Sequence, residues 1–179
     1  MYKKISQTGF TLVELMVVTT LVAVLVMLAV PGFRSFLLKR AVLSAVDAMM
    51  TDLRYARSEA IKRSTRVTLC QSASGTNCSG ADGAWVNGWM VFIDANGDGT
   101  FDAGEQILRV QQALPSITSI ARPAGSTRRF FTYQATGWAK SADETLVFVP
   151  TGPAPDAERL VCISNQGRPA LKAAGAASC

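Results

Sequence analysis

The residues best equipped for chemistry lie in one acidic loop. Asp94, Asn96, Asp98, Thr100, Asp102 and Glu105 follow the spacing D-x-[DN]-x-[DN]-G-x5-E. That spacing arranges oxygen ligands around calcium, with Thr100 offering its carbonyl and Asp102 acting through water. Strand-like sequence flanks the loop where a true EF-hand has helices. The competing reading is therefore a β-hairpin whose Asn96-Gly97 and Asp98-Gly99 steps supply the turn. Calcium is the one cofactor the sequence suggests, and the turn is the favoured reading.

A second charge with a task is Glu14, near the start of an apolar run that reaches Pro31. A carboxylate at the centre of a membrane helix costs roughly 2.5–3.5 kcal/mol, so it calls for a partner. Four cysteines, Cys70, Cys78, Cys162 and Cys179, fit neither a zinc spacing nor C-x-x-C. Their even number beside an export segment points to disulfides in an oxidising compartment. Three pairings are open. The local one, Cys70–Cys78 with Cys162–Cys179, closes the shortest loops and is the expected one. The chain has no histidine, which excludes histidine triads, histidine-ligated zinc and imidazole acid–base catalysis. No nucleophile motif or phosphate loop is present either, so an enzyme is not expected.

These residues must be positioned by the elements around them. The chain has 179 residues and a formal charge of +5, enough for one globular domain plus an apolar segment. Leu12–Val30 is long enough to span a bilayer. Lys3 and Lys4 precede it and no cation follows until Arg34, which places the N-terminus in the cytoplasm and the rest outside. A secretory signal has its small cleavage residues after the apolar region. Here Gly9 stands before it, so the apolar segment is retained.

Gly9-Phe10-Thr11-Leu12-Val13-Glu14 resembles the leader junction of type IV pilins and type II secretion pseudopilins. The resemblance implies cleavage after Gly9 by a prepilin peptidase and methylation of the new terminus, Phe10. It makes Glu14 the assembly glutamate and Pro31, with Gly32, a place where the helix is bent or loosened. A neighbouring subunit's protonated Phe10 amine would compensate Glu14 inside a filament. Expected partners are other minor and major pilins, the peptidase and an inner-membrane assembly platform. The expected location is the bacterial inner membrane with a periplasmic C-terminal domain, then the pilus surface.

Beyond Gly32 the helical pattern resumes, with Val42, Val46, Met49, Leu53, Ala56 and Ala60 at spacings of three and four. Asp47, Asp52, Arg54, Arg57, Glu59 and Lys62 fall mostly off that stripe. One helix from Phe10 to about Lys62 is therefore predicted, its second half packing on a sheet. After Arg63, strands are predicted near 66–71, 89–94, 106–110, 117–121, 129–133, 145–149 and 160–164. The fold class is α+β and pilin-like, a long N-terminal helix on an antiparallel β-sheet domain. The segments are a leader at 1–9, a hydrophobic helix at 10–33, an amphipathic helix at 34–63 and a β-rich domain at 64–179. Trp85, Trp89 and Trp138 are read as core or turn-packing aromatics rather than a carbohydrate surface.

The blocks Asp52–Ala60, Gly88–Phe92 with the Asn-Gly-Asp-Gly turn, and Ser164–Arg168 resemble the FimT/FimU/GspH group of minor pilins and pseudopilins. The group implies a minor subunit near a pilus tip that helps initiate assembly. Some members bind DNA through a G-R-x-R motif. Here the segment reads Gly167-Arg168-Pro169-Ala170, with Lys172 nearby but offset, so one of two phosphate-binding cations is missing. DNA is a weighed but not favoured partner.

Overall fold

The computed structural model describes residues 9–80, 84–121, 129–140, 144–173 and 175. Helix α1 runs from Leu12 to Arg63, 52 residues without interruption through Pro31 and Gly32. Proline removes one helical donor, but the ladder on either side carries the helix across it. Thr11 caps the start, its Oγ1 accepting the Glu14 backbone N–H at 3.2 Å. Thr11-x-x-Glu14 is thus a capping-box spacing, and Glu14 sits in the first turn where the helix dipole favours an anion. At the far end Ser64 adopts φ 51°. The Thr65 N–H donates to the Ala60 carbonyl at 3.2 Å and the Ser64 N–H to Ile61 at 3.3 Å. This is a Schellman closure with serine in glycine's usual place.

The chain divides into two compact units, up to Leu37 and from Leu38 onward. In the first, the apolar side chains from Leu12 to Leu37 are exposed, and an 18-residue window has mean hydropathy 2.6. A helix apolar all round needs lipid or other helices around it.

Among its described residues the second unit holds nine strands: β1 Val67–Gln71, β2 Trp89–Ile93, β3 Ile107–Gln111, β4 Ile117–Ala121, β5 Phe130–Tyr133, β6 Ala139–Lys140, β7 Glu144–Pro150, β8 Arg159–Ile163 and β9 Pro169–Lys172. They form two antiparallel sheets, ordered β3-β2-β1-β5-β6 and β4-β7-β8-β9. The seven predicted strands are present. Strands β6 and β9 escaped prediction because one has two residues and the other opens on a proline. Proline at the first position of an edge strand sacrifices no ladder bond.

The predicted helical stripe is the centre of the core. Val42, Val46, Met49, Leu53, Ala56 and Ala60 are all fully buried, in one cluster with residues of both sheets. Trp85 and Trp89 join it, whereas Trp138 is exposed. Two of the charges expected off the stripe are buried instead: Asp52 and Glu59. Asp52 Oδ2 accepts the Trp89 indole N–H at 2.8 Å, and Oδ1 lies 3.0 Å from Arg109 Nη1. The Arg109 contact is an ion pair without hydrogen-bond geometry, since Oδ1 accepts no bond. Arg109 also lies over the Tyr55 ring, 5.7 Å from its centroid. Burial raises the Asp52 carboxyl above its ordinary value, against the opposing pull of Trp89 and Arg109.

The other face of the first sheet is also covered. Cys70, Met90 and Phe92 form a smaller cluster there with Cys78 and Phe101. The expected Cys70–Cys78 disulfide is present, with Cα atoms 5.7 Å apart. Cys162 is disulfide-bonded as well, and its expected partner Cys179 lies outside the described residues.

Three outcomes are expected. Asp52→Ala, which leaves the Trp89 N–H unsatisfied in the core, should cost about 2 kcal/mol in denaturant unfolding, whereas Asp52→Asn, which keeps an acceptor, should cost less. Because the folded carboxyl of Asp52 lies above its unfolded value, its contribution is fully present below the unfolded value and is lost as pH rises through the folded one. Asp52→Asn should therefore flatten that pH dependence. Reducing Cys70–Cys78 should lower stability by about 2–3 kcal/mol, read as a fall in melting temperature with reductant.

Candidate functional site

The acidic loop joins β2 to β3 and folds over the outer face of the first sheet. Its residues are arranged by hydrogen bonds to its own backbone. Asp94 is buried; its Oδ1 accepts the Gly97 N–H at 2.6 Å, and its Oδ2 accepts the Gly99 N–H at 3.1 Å and the Thr68 hydroxyl at 2.6 Å. Thr68 and Thr132 continue the buried chain at 2.7 Å. Asp98 Oδ1 accepts both the N–H and the hydroxyl of Thr100, at 2.8 and 2.9 Å. The Asn96 amide donates to Asp98 and Asp102, each at 3.0 Å. Glu105 accepts the Ala95 and Asp102 N–H groups at 3.1 and 3.0 Å.

The side chains of Asp94, Asn96, Asp98, Asp102 and Glu105 are thus engaged within the loop and its neighbours, and the Asn96 side chain presents a donor to two of the carboxylates. Among the described residues no three histidine, cysteine or acidic side chains converge as a metal-holding group. Gly99, at φ 81°, lies so close to Phe130 that a Cβ would sit 2.4 Å from its ring. Phe101 packs edge-on against Phe92 with centroids 5.4 Å apart. The loop is a lid over the sheet, in which the acidic side chains replace water as acceptors for turn N–H groups. The Thr100 N–H, then its hydroxyl, hold the Asp98 carboxyl below its ordinary value. A depressed carboxyl adds stability above its unfolded value and loses it as pH falls through the folded one, so the lid weakens only in acid.

The C-terminal cations are separated. Arg168 is exposed in the turn before β9, and Lys172 ends that strand opposite Leu160. Four residues of extended chain span about 13 Å, so the two do not form one cluster. Arg168 instead meets the flank of α1. Arg54, Arg57, Ser58 and Ile61 face Gly167, Arg168 and Pro169 across a cleft of about 500 Å³. Gly167 closes its floor at φ 72°, where a Cβ would sit 2.7 Å from the Gly137 carbonyl and the Tyr133 ring. Sequence reasoning missed this cleft because Arg54 and Arg57 read as an ordinary solvated helix face.

At the N-terminal end, Gly9 and Phe10 are exposed, and Glu14 lies within the exposed apolar stretch. Its carboxylate has no ion pair or hydrogen bond among the described residues.

With its turn acceptors already used, the loop should not respond to calcium. Saturating calcium should leave the melting temperature of the full chain in detergent within about 1 °C, and a rise of several degrees would restore the calcium reading.

Residues 4–30 match the prokaryotic N-terminal methylation motif. Residues 45–167 match the family described as type II transport protein GspH. No curated protein matches the chain significantly. Among solved structures, the fold resembles the type IV minor pilin FimU of Pseudomonas aeruginosa, with TM-score 0.57 and 22% identity over 77% of this chain and 94% of that one. A second crystal form of FimU gives TM-score 0.56 at 22% identity over 76% and 98%. The minor pseudopilin EpsH of the Vibrio cholerae type 2 secretion system is more distant, with TM-score 0.49 and 14% identity over 74% and 96%. With more than half its length matched and the pilin-type helix-on-sheet fold in place, the chain belongs to the GspH family of pilin-like structural subunits.

Proposed function

We propose that this chain is a minor type IV pilin, a non-enzymatic subunit that helps initiate pilus assembly from a complex at the pilus tip and so supports motility and adhesion. The observation that carries the reading is the character of α1 between Leu12 and Val30, an exposed apolar surface interrupted by one unpartnered carboxylate, Glu14. Such a helix serves as a membrane anchor and then as a packing surface within a fibre. In both settings its backbone bonds stay internal. Cleavage after Gly9 frees the Phe10 amine, which is then methylated. That amine on one subunit compensates Glu14 on the next and sets the axial offset between them. Residues 1–9 act as leader, 10–33 as anchor and fibre core, 34–63 as the packed amphipathic half and 64–179 as the contact domain. The N-terminus lies in the cytoplasm and the domain in the periplasm until assembly. The partners are other minor and major pilins, the prepilin peptidase and the inner-membrane platform. DNA is not assigned as a partner.

A second reading has its own support. The matched family is described as a type II transport protein, which favours a pseudopilin of the type II secretion system. Deleting the gene in its native host separates the two. The pilus reading expects the deletion to deplete surface pili. Wild type should restore them and Glu14→Ala should not. Normal piliation with lost type II secretion would move the subunit to the secretion system.

A further inference from the structure

The cleft between the α1 flank and the 164–168 turn carries a charge that no described residue answers. Arg54, Arg57 and Arg168 line it, and among the described residues no carboxylate does. The acidic side chains nearest in sequence are engaged elsewhere: Glu59 with Lys62 and Arg63, Asp52 with Arg109. Arg57 Nε is buried without a hydrogen-bond partner among the described residues. The Tyr133 hydroxyl is likewise unpartnered, on a ring packed behind Gly167 and outside the lining. Three guanidinium groups repel one another, and a buried N–H without an acceptor is unfavourable, so the cleft is built for an oxyanion.

We propose that this cleft receives an acidic side chain, aspartate or glutamate, from a neighbouring pilin-type subunit. Guanidinium forks accept carboxylates in bidentate fashion. The remaining lining is Ser58 with Ile61, Gly167 and Pro169, and the last three are apolar and suit the stem of such a side chain. It offers no aromatic platform on which nucleic-acid bases would stack, which favours a protein carboxylate over a phosphodiester chain. The cleft also lies on α1, the element that carries the chain's other unpartnered surface. The proposal rests on assembly with other pilin-type subunits, and it holds whether those belong to a pilus or to a secretion system.

The test uses the full chain in membranes of its native host, with the photo-crosslinker p-benzoylphenylalanine in place of exposed Ser58. An adduct with a pilin-type subunit is expected, mapping next to an acidic residue. Arg54→Glu and Arg168→Glu, both at exposed positions, should each lower its yield, and the pair together should do so at least about tenfold. Changing the mapped acidic residue to lysine should recover the yield in the charge-reversed pair. Retention of the Cys70–Cys78 disulfide checks that the variants fold. No adduct with a pilin-type subunit, an adduct indifferent to charge reversal, or an adduct with DNA would overturn the proposal. Loss of the adduct effect with normal membrane levels separates this failure from that of the assembly reading, which is judged by piliation and secretion alone.

Discussion

The rest of the structure depends on one seam of α1 that packs against two sheets at once. Val42, Val46, Met49, Leu53, Ala56 and Ala60 leave no space for solvent, and both sheets contribute to the same cluster. Small residues at positions 56 and 60 let the backbone approach the sheets as the helix nears its end. The closure at Ser64 then turns the chain directly into β1. The two sheets share no strand pairing, and the helix seam is where both bury their inner faces.

The outer face of the first sheet poses a different problem. Thr68, Cys70, Met90 and Phe92 face away from the helix yet are buried. The chain covers them with two loops, one tied by the Cys70–Cys78 disulfide and one tied by carboxylate-to-amide bonds. The acidic loop has the spacing of a calcium loop because both tasks require short acidic residues and glycines at close spacing. A turn needs acceptors for converging N–H groups, and a cation needs oxygens. Here Asp94, Asp98 and Glu105 turn oxygens to backbone N–H groups, while Asp98 and Asp102 meet the Asn96 side-chain amide.

The charged residues of α1 divide by what surrounds them. Asp52 is buried but answered by Trp89 and Arg109. Arg54 and Arg57, on the open flank, have no acidic answer among the described residues. Glu14, in the apolar half, is in the same position with the opposite sign. Off the helix, Arg168 and the Tyr133 hydroxyl are left in the same position among the described residues.

The sequence by itself determined the long helix, its apolar and amphipathic halves, the seven main strands and the local disulfide. These rest on periodicity, composition and short loop closure, which are properties of neighbouring residues. The burial of Asp52, the division of strands into two sheets, the edge strand β9 and the arginine cleft were decided by tertiary structure alone. Each brings together residues far apart in the chain: Asp52 with Trp89, Arg54 and Arg57 with Arg168. Local pattern assigns a charged helix residue to solvent, and only the folded neighbourhood decides whether it meets water, a partner in its own chain, or a place left for another.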